Sequence, residues 1–267
     1  MIEYFNIYLP KTKREVKIEV SIPRNYQKLN TKFDTMYLLD GQNAFKDSHA
    51  TFNRSIRASK HMGFVASATG KRTIGIAVYN ARSEMGRINE YTPFLITNAA
   101  DPVWAKTQDL KVCQNFCDDF VNVIIPYIDN KYPTIKEASH RYIYGSSLAA
   151  LTAIYLAYNY PNTFGAIAAY STASFLCPEE FYNFVDKRIN PRVKFFLYVG
   201  RRETSDGSYD EELYYNASKT LYDIATKHFA KVRLVVSDSG THCEACWDKN
   251  LIDFFSFVYS DGIIYKY

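Results

Sequence analysis

The segment Tyr142-Ile143-Tyr144-Gly145-Ser146-Ser147-Leu148-Ala149-Ala150 joins an apolar, β-favouring run to a small-residue helical stretch reaching about Asn159. A serine at such a strand-to-helix turn, with small residues two before and two after it, is held exposed as a nucleophile. Gly145 gives the turn room and Ser147 sits at its apex. Ala149 stands where a glycine is usual and meets the same demand for a small side chain. A serine before a helix also serves as an N-cap, so the motif alone leaves two uses open. A hydroxyl attacks an acyl carbon at neutral pH only with an imidazole to take its proton. That imidazole in turn needs a carboxylate to fix its tautomer and steady its charge.

Both partners follow downstream. Val193–Val199 reads as a buried strand and runs into Gly200-Arg201-Arg202-Glu203-Thr204-Ser205-Asp206. Glu203 is the expected orienting acid, with Asp206 and then Asp210 as alternatives; a solvated loop carboxylate is the ordinary reading of each. Val232–Ser237 is another strand, and His242 follows it just beyond Gly240 and before an amphipathic C-terminal helix. Of the other histidines, His49, His61, His140 and His228, none has a comparable context. Acyl transfer also needs N–H donors for the developing oxyanion. The residue after the nucleophile, Leu148, supplies one. Gln42, in the loop Asp40–Phe45 after a strand at 33–39, supplies the other, and an ordinary Asp-Gly turn is the alternative there. Asn43 and Trp104 are expected to contact substrate.

His242-Cys243-Glu244-Ala245-Cys246 has a superficial metal-ligand spacing, and Cys113 and Cys117 stand four apart on an expected helix. A structural zinc site needs two such clusters. The better reading of the five cysteines is reduced thiols packed as small apolar residues. The expectation is therefore no metal and no organic cofactor.

The elements that must position these residues follow from local patterning. Strands are expected near 2–8, 14–22, 33–39, 73–79, 140–145, 166–170, 193–199 and 232–237, and helices near 49–63, 112–129, 148–159, 208–228 and 246–258. Phe116, Phe120, Val123 and Ile124 recur at helical spacing before Pro126. Strands alternating with helices predict an α/β fold: one eight-stranded, mostly parallel sheet with antiparallel N-terminal strands and helices on both faces. Two irregular stretches, about 95–111 and 176–192, are expected to wall a pocket, with Trp104, Phe181, Tyr182 and Phe184 lining it; solvated connections are the alternative.

Leu38-Leu39-Asp40-Gly41-Gln42-Asn43 resembles the first signature of the Putative esterase family of α/β-hydrolases, which holds esterase D-like and enterochelin esterase-like enzymes. Arg87-Ile88-Asn89-Glu90-Tyr91-Thr92-Pro93, Ile125–Tyr132, Tyr160–Gly165 and His242–Trp247 match in the same order, so the resemblance covers about residues 14 to 258. It implies the α/β-hydrolase fold and serine hydrolysis of esters or thioesters without a cofactor. The departures are Ala149, Ala150 and the residues around His242. The resemblance puts Arg87 and Glu90 near the active-site face; a local ion pair ordering a loop is the expected role, with a substrate contact as the alternative.

At 267 residues and 47% hydrophobic content, the chain is long enough for one large α/β domain over 1–267. A formal charge of +4, from 32 basic and 28 acidic residues dispersed along the chain, gives no ground for a nucleic-acid or anionic-membrane partner. No apolar run has the length of a membrane span. The first residues lack a signal-peptide pattern, so a cytoplasmic location is expected. Aromatic content is high at 16%, which suits a pocket for aryl or acyl groups but equally reflects compositional bias. The expected function is a serine carboxylesterase acting on a small-molecule ester, with homo-oligomer formation left open. The alternatives are a siderophore-lactone or acyl-sugar esterase, acyl transfer to an acceptor other than water, and, from another class, a non-catalytic binding protein.

Overall fold

The computed structural model describes residues 1–98, 102–188, 192–204, 210, 212–229 and 231–259. Its eight strands are β1 Ile2–Leu9, β2 Arg14–Ser21, β3 Asp34–Leu38, β4 Thr73–Val78, β5 Arg141–Ser146, β6 Ala166–Tyr170, β7 Lys194–Gly200 and β8 Lys231–Ser237. They form one sheet in the order β1-β2-β4-β3-β5-β6-β7-β8. β2 pairs antiparallel with both β1 and β4, and every other neighbouring pair is parallel. Strands β3 to β6 are buried along their whole length. Strands covered on both faces read as near-continuous apolar runs, and Ile74-Gly75-Ile76-Ala77-Val78 is such a run.

Alternation along each strand divides the interior in two. Tyr37, Ile143, Ile167, Phe195 and Leu197 face one core, and Met36, Leu38, Tyr142, Tyr144, Phe196 and Tyr198 face the other. Helices α1 Ala58–Thr69 and α9 Glu244–Tyr259 cover the second face. The first is covered by α2 Glu84–Tyr91, α4 Leu110–Asp119, α5 Ile125–Lys131, α6 Leu148–Asn159, α7 Pro178–Asp186 and α8 Leu213–His228, with the short α3 Pro102–Thr107 beside them. The chain leaves β3 toward β4 on one side and returns to β5 on the other. That reversal opens a crevice at the strands' C-terminal ends, where α/β sheets bind their ligands.

The sheet lies where the sequence places it, whereas several helical expectations change, α3 among them, since it falls in the stretch 95–111 expected to be irregular. Beyond the 3-10 turn Asp47–His49, residues 50–57 are not helical. Asp47 accepts from both the N–H and the hydroxyl of Ser55 (2.9 and 2.8 Å), folding the chain back, and Asn53 and Arg57 take positive φ, so α1 starts only at Ala58. The expected irregular stretch 176–192 contains α7. Pro178 at its first turn and Glu179 and Glu180 beside its N-terminus favour helix start. Residues 84–91 also form a helix, capped by Ser83, whose Oγ accepts from the Gly86 N–H at 3.1 Å. The helical region before Pro126 widens into a π-turn over Phe120–Ile124, since proline has no N–H to continue the α-ladder.

Candidate active site

Ser147 stands between β5 and α6 with φ 58° and ψ −124°. A non-glycine residue adopts such a backbone only where its surroundings over-determine it. Here the Ser147 N–H donates to the Tyr170 carbonyl at 2.9 Å, and its own carbonyl accepts from Ala150 (3.2 Å). Gly145 is required by close approach, because a Cβ there would run into the Ala149 carbonyl. The Ser147 side chain makes no capping bond to α6, so the N-cap use does not hold. Its hydroxyl lies on a cavity of about 1190 Å³ at the crevice.

His242 lies on the same cavity. Its Nδ1 meets Glu203 Oε2 at 2.7 Å. The Glu203 side chain is fully buried, while that of His242 is 26% exposed. The other carboxylate oxygen accepts from Ser171 Oγ (2.6 Å) and from the Gly200 N–H (2.7 Å). Ser171 Oγ in turn accepts from Trp247 Nε1 at 2.8 Å. The imidazole is also held by rings: Tyr214 lies 4.6 Å from it, and Trp247 meets it edge-on at 5.1 Å. Such fixing leaves Nε2 as the nitrogen that can exchange a proton at the cavity. A direct bond from Ser147 Oγ to Nε2 is not among those formed by the described residues. Asp206 lies outside the described residues. Asp210 accepts from the Glu212 N–H at 2.8 Å just before α8 and is exposed.

The loop after β3 forms the third side. Asp40 has φ 50°, and Gly41–Asn43 make one 3-10 turn. Gly41 packs so tightly on β4 that a Cβ would stand 2.6 Å from the backbone of Ala77 and Val78. Among the described residues, no acceptor is found for the N–H of Gln42 or of Leu148. Asp40 holds the loop: its carboxylate accepts from Arg87 Nε and Nη2 (3.0 and 2.6 Å) and from Asn80 Nδ2 (2.5 Å). Burial disfavours the Arg87 cation, yet Asp40 outweighs it and raises the guanidinium above its ordinary value. Contrary to the expectation from sequence, Arg87 and Glu90 do not pair with each other. Glu90 faces Arg14 (2.5 Å) and the Ala81 N–H (2.7 Å). Asn43 lies on the cavity, where its Nδ2 donates to Glu244 Oε1 at 2.8 Å. That bond ties the β3 loop to the first residue of α9. Burial raises the Glu244 carboxyl above its usual range, and nearby Asp40 adds to it.

Trp104 packs against the helix-rich core and is not among the residues lining this cavity. Phe181 is buried in an aromatic cluster with Phe94, 6.0 Å away, and Phe184 stacks on Tyr155 at 5.3 Å. Tyr182 is bonded to Ser174 (3.0 Å). The aromatic groups on the cavity are instead Phe52, Tyr79 and Trp247. Ser171, Tyr214 and Glu244 escaped the sequence reading, since nothing local marks a residue that supports a partner in a distant loop. Among the described residues, no three His, Cys, Asp or Glu side chains group as a metal site requires.

The Putative esterase family model matches residues 10–257, nearly the whole chain. The chain belongs to that family. The fold of this esterase family member is the α/β-hydrolase fold, shared with an IroE-like serine hydrolase from Shewanella oneidensis (TM-score 0.75, 18% identity, 99% of this chain and 82% of that one). The siderophore hydrolase EstA from Aspergillus nidulans is similar over 97% and 95% of the two chains, with TM-score 0.75 and 16% identity. The enterobactin esterase FES from Shigella flexneri is similar over 98% of this chain and 60% of its own (TM-score 0.74, 13% identity). In sequence, the uncharacterized protein YbbA of Bacillus subtilis is 24% identical over 150 residues, 56% of this chain and 54% of YbbA. The match thus spans about half the length of that relative. No described helix of the chain is long and apolar enough to cross a membrane.

Proposed function

We propose that the protein is a cytoplasmic, single-domain serine carboxylesterase that hydrolyses small acyl or aryl esters, or thioesters, through an acyl-enzyme. The observation that carries this reading is the cavity shared by the uncapped, strained Ser147 and by His242, whose Nδ1 is held by buried Glu203. Ser147 Oγ attacks the acyl carbon while His242 Nε2 takes its proton; Glu203 fixes the tautomer and stabilises the imidazolium. The N–H groups of Leu148 and Gln42 hold the tetrahedral oxyanion. Collapse expels the alcohol or thiol, which takes the proton from His242. Water, deprotonated by His242, then attacks the acyl-enzyme and releases the acid and Ser147.

A fluorophosphonate probe tests the reading, with hydrolysis of p-nitrophenyl acetate and butyrate run beside it. Wild type should label and turn over. Ser147→Ala should do neither, with kcat falling by about six orders of magnitude or to background. A folded wild-type protein that neither labels nor hydrolyses would favour a non-catalytic binding role.

A second reading, a siderophore-lactone or acyl-sugar esterase, draws on one specific observation. The cavity, at about 1190 Å³, exceeds the roughly 300–1,000 Å³ usual for small-ligand sites, and Arg82 stands on its wall beside Arg54 and Arg87, which already pair with Asp248 and Asp40. Bulky anionic esters outcompeting p-nitrophenyl acetate in kcat/KM would select it.

A further inference from the structure

The cysteines at the start of α9 do not pack as the sequence led us to expect. Cys113, Cys117 and Cys177 are buried, whereas Cys243 and Cys246 are half-buried. Cys243 directly precedes α9, and Cys246 is in its first turn. The Cys246 N–H donates to the Cys243 carbonyl at 3.0 Å, so the chain turns tightly between them. Both sulfurs meet one hydroxyl: Thr241 Oγ1 lies 3.3 Å from Cys243 Sγ and 3.4 Å from Cys246 Sγ. The Thr241 N–H also donates to Cys246 Sγ at 3.3 Å. Cys243 lines the cavity that holds Ser147 and His242.

Residues three apart on a helix have Cβ atoms about 5–6 Å apart. A disulfide asks for Cα atoms roughly 4.4–6.8 Å apart and Cβ atoms near 4 Å. A small adjustment at the first turn of α9 therefore brings the two sulfurs into bonding range. The electrostatics agree. Burial opposes ionisation of Cys246, but the hydroxyl and N–H of Thr241, the Cys243 thiol and Lys249 together hold its thiol below the ordinary range. Cys-x-x-Cys pairs at helix N-termini favour the thiolate in the same way. None of these contacts serves the ester chemistry.

We propose that Cys243, on the cavity wall, and Cys246 behind it form a redox-active dithiol, a modification site for low-molecular-weight disulfides. Cys246 Sγ, as thiolate, attacks one sulfur of the reagent RSSR; the reagent's S–S bond breaks and one thiolate leaves. Cys243 then loses its proton to that departing thiolate and attacks Cys246 Sγ, expelling the second RS group as thiolate, which takes a proton from solvent. Two protein thiols are oxidised to one disulfide, and RSSR is reduced to two thiols. Because Cys243 is bonded to His242 along the chain, closing the ring constrains the imidazole's loop and lowers turnover. That consequence rests on the esterase reading, whereas the dithiol chemistry does not.

The test uses the full chain, reduced and freed of reductant, then incubated with 2-hydroxyethyl disulfide. Intact mass, a peptide map and p-nitrophenyl acetate turnover are read together. The expected result is loss of two hydrogens mapped to a Cys243–Cys246 bond, with Cys113, Cys117 and Cys177 unreacted. Cys243→Ser should trap one mixed disulfide on Cys246. Oxidation should lower kcat/KM about three-fold or more, reversibly with dithiothreitol. No mass change, equal reaction at the buried cysteines, or Cys246→Ser reacting as fast as wild type would overturn the dithiol. A disulfide formed with kcat/KM unchanged would overturn its coupling to His242. A disulfide in a protein that hydrolyses nothing even when reduced would support the dithiol and count against the esterase reading alone.

Discussion

Each of the five histidines faces a carboxylate: His49 meets Glu19, His61 meets Asp248, His140 meets Asp34, His228 meets Asp186 and His242 meets Glu203. Pairing alone therefore does not single out a catalytic base. His49 also lies on the cavity with Ser147, but the bonds to its buried partner Glu19 all gather on Oε1. His61 has a partner bonded on both oxygens but lies off the cavity. His242 combines a place on that cavity with a fully buried partner whose second oxygen is already bonded to Ser171 and Gly200. A carboxylate so committed cannot swing away from the imidazole. Glu203→Gln keeps the shape but not the charge, and the amide group can present N–H toward Nδ1. It is expected to lower kcat by about four orders of magnitude, the scale seen when a triad acid is made neutral. Steady-state kinetics with p-nitrophenyl acetate read this directly, and a loss under ten-fold would assign the orienting role elsewhere.

At the scale of elements, two loops meet because the chain reverses direction at β3. The β3 loop is pinned from below by Gly41 against β4 and from the side by Arg87 on α2. Gly41→Ala should overpack that contact, costing about 1–3 kcal/mol. For a chain of this size each kcal/mol lowers Tm by roughly 2–4 °C, which differential scanning fluorimetry would register. Arg87→Lys replaces a two-pronged grip on Asp40 with a single point of charge. If Arg87 positions the loop that carries the Gln42 N–H, kcat should fall about ten-fold or more, with KM little changed, since charge-assisted bonds are worth roughly 1.5–3 kcal/mol. A raised KM with kcat intact would instead mean that Arg87 grips substrate.

The whole molecule responds to acid through carboxylates held ionised in its interior. Glu19 on β2 is 1% exposed, accepts from the Tyr79 hydroxyl at 2.7 Å, and faces Lys17 at 3.1 Å and His49 at 2.8 Å. Burial opposes its charge, but the Tyr79 hydroxyl, Lys17 and His49 outweigh it and hold the carboxyl below its ordinary value of 4.5. Below that pH the unfolded chain binds more protons at this group than the folded one. The stabilisation is therefore present above 4.5 and is lost as pH falls through the depressed folded value. Glu19→Gln should flatten the fall of Tm with pH between about pH 5 and pH 3. Thermal melts giving the same slope as wild type would remove Glu19 from the acid response.

By itself the sequence determined what is local in origin. Period-two burial and apolar runs located all eight strands, and the steric demand around Gly145 and Ala149 marked the Ser147 turn. The chain order of Glu203 and His242 at strand exits pointed to a pair that the structure joins at 2.7 Å. Only the tertiary structure decided which distant groups meet. Arg87 joins Asp40 rather than Glu90, Asn43 reaches Glu244, Trp247 braces Ser171, and Trp104 stays with the helix-rich core. Periodicity and small-residue spacing act through neighbours along the chain and leave a trace in any short window. A hydrogen bond between loops two hundred residues apart depends instead on which strand ends the topology brings together. No local pattern carries that information.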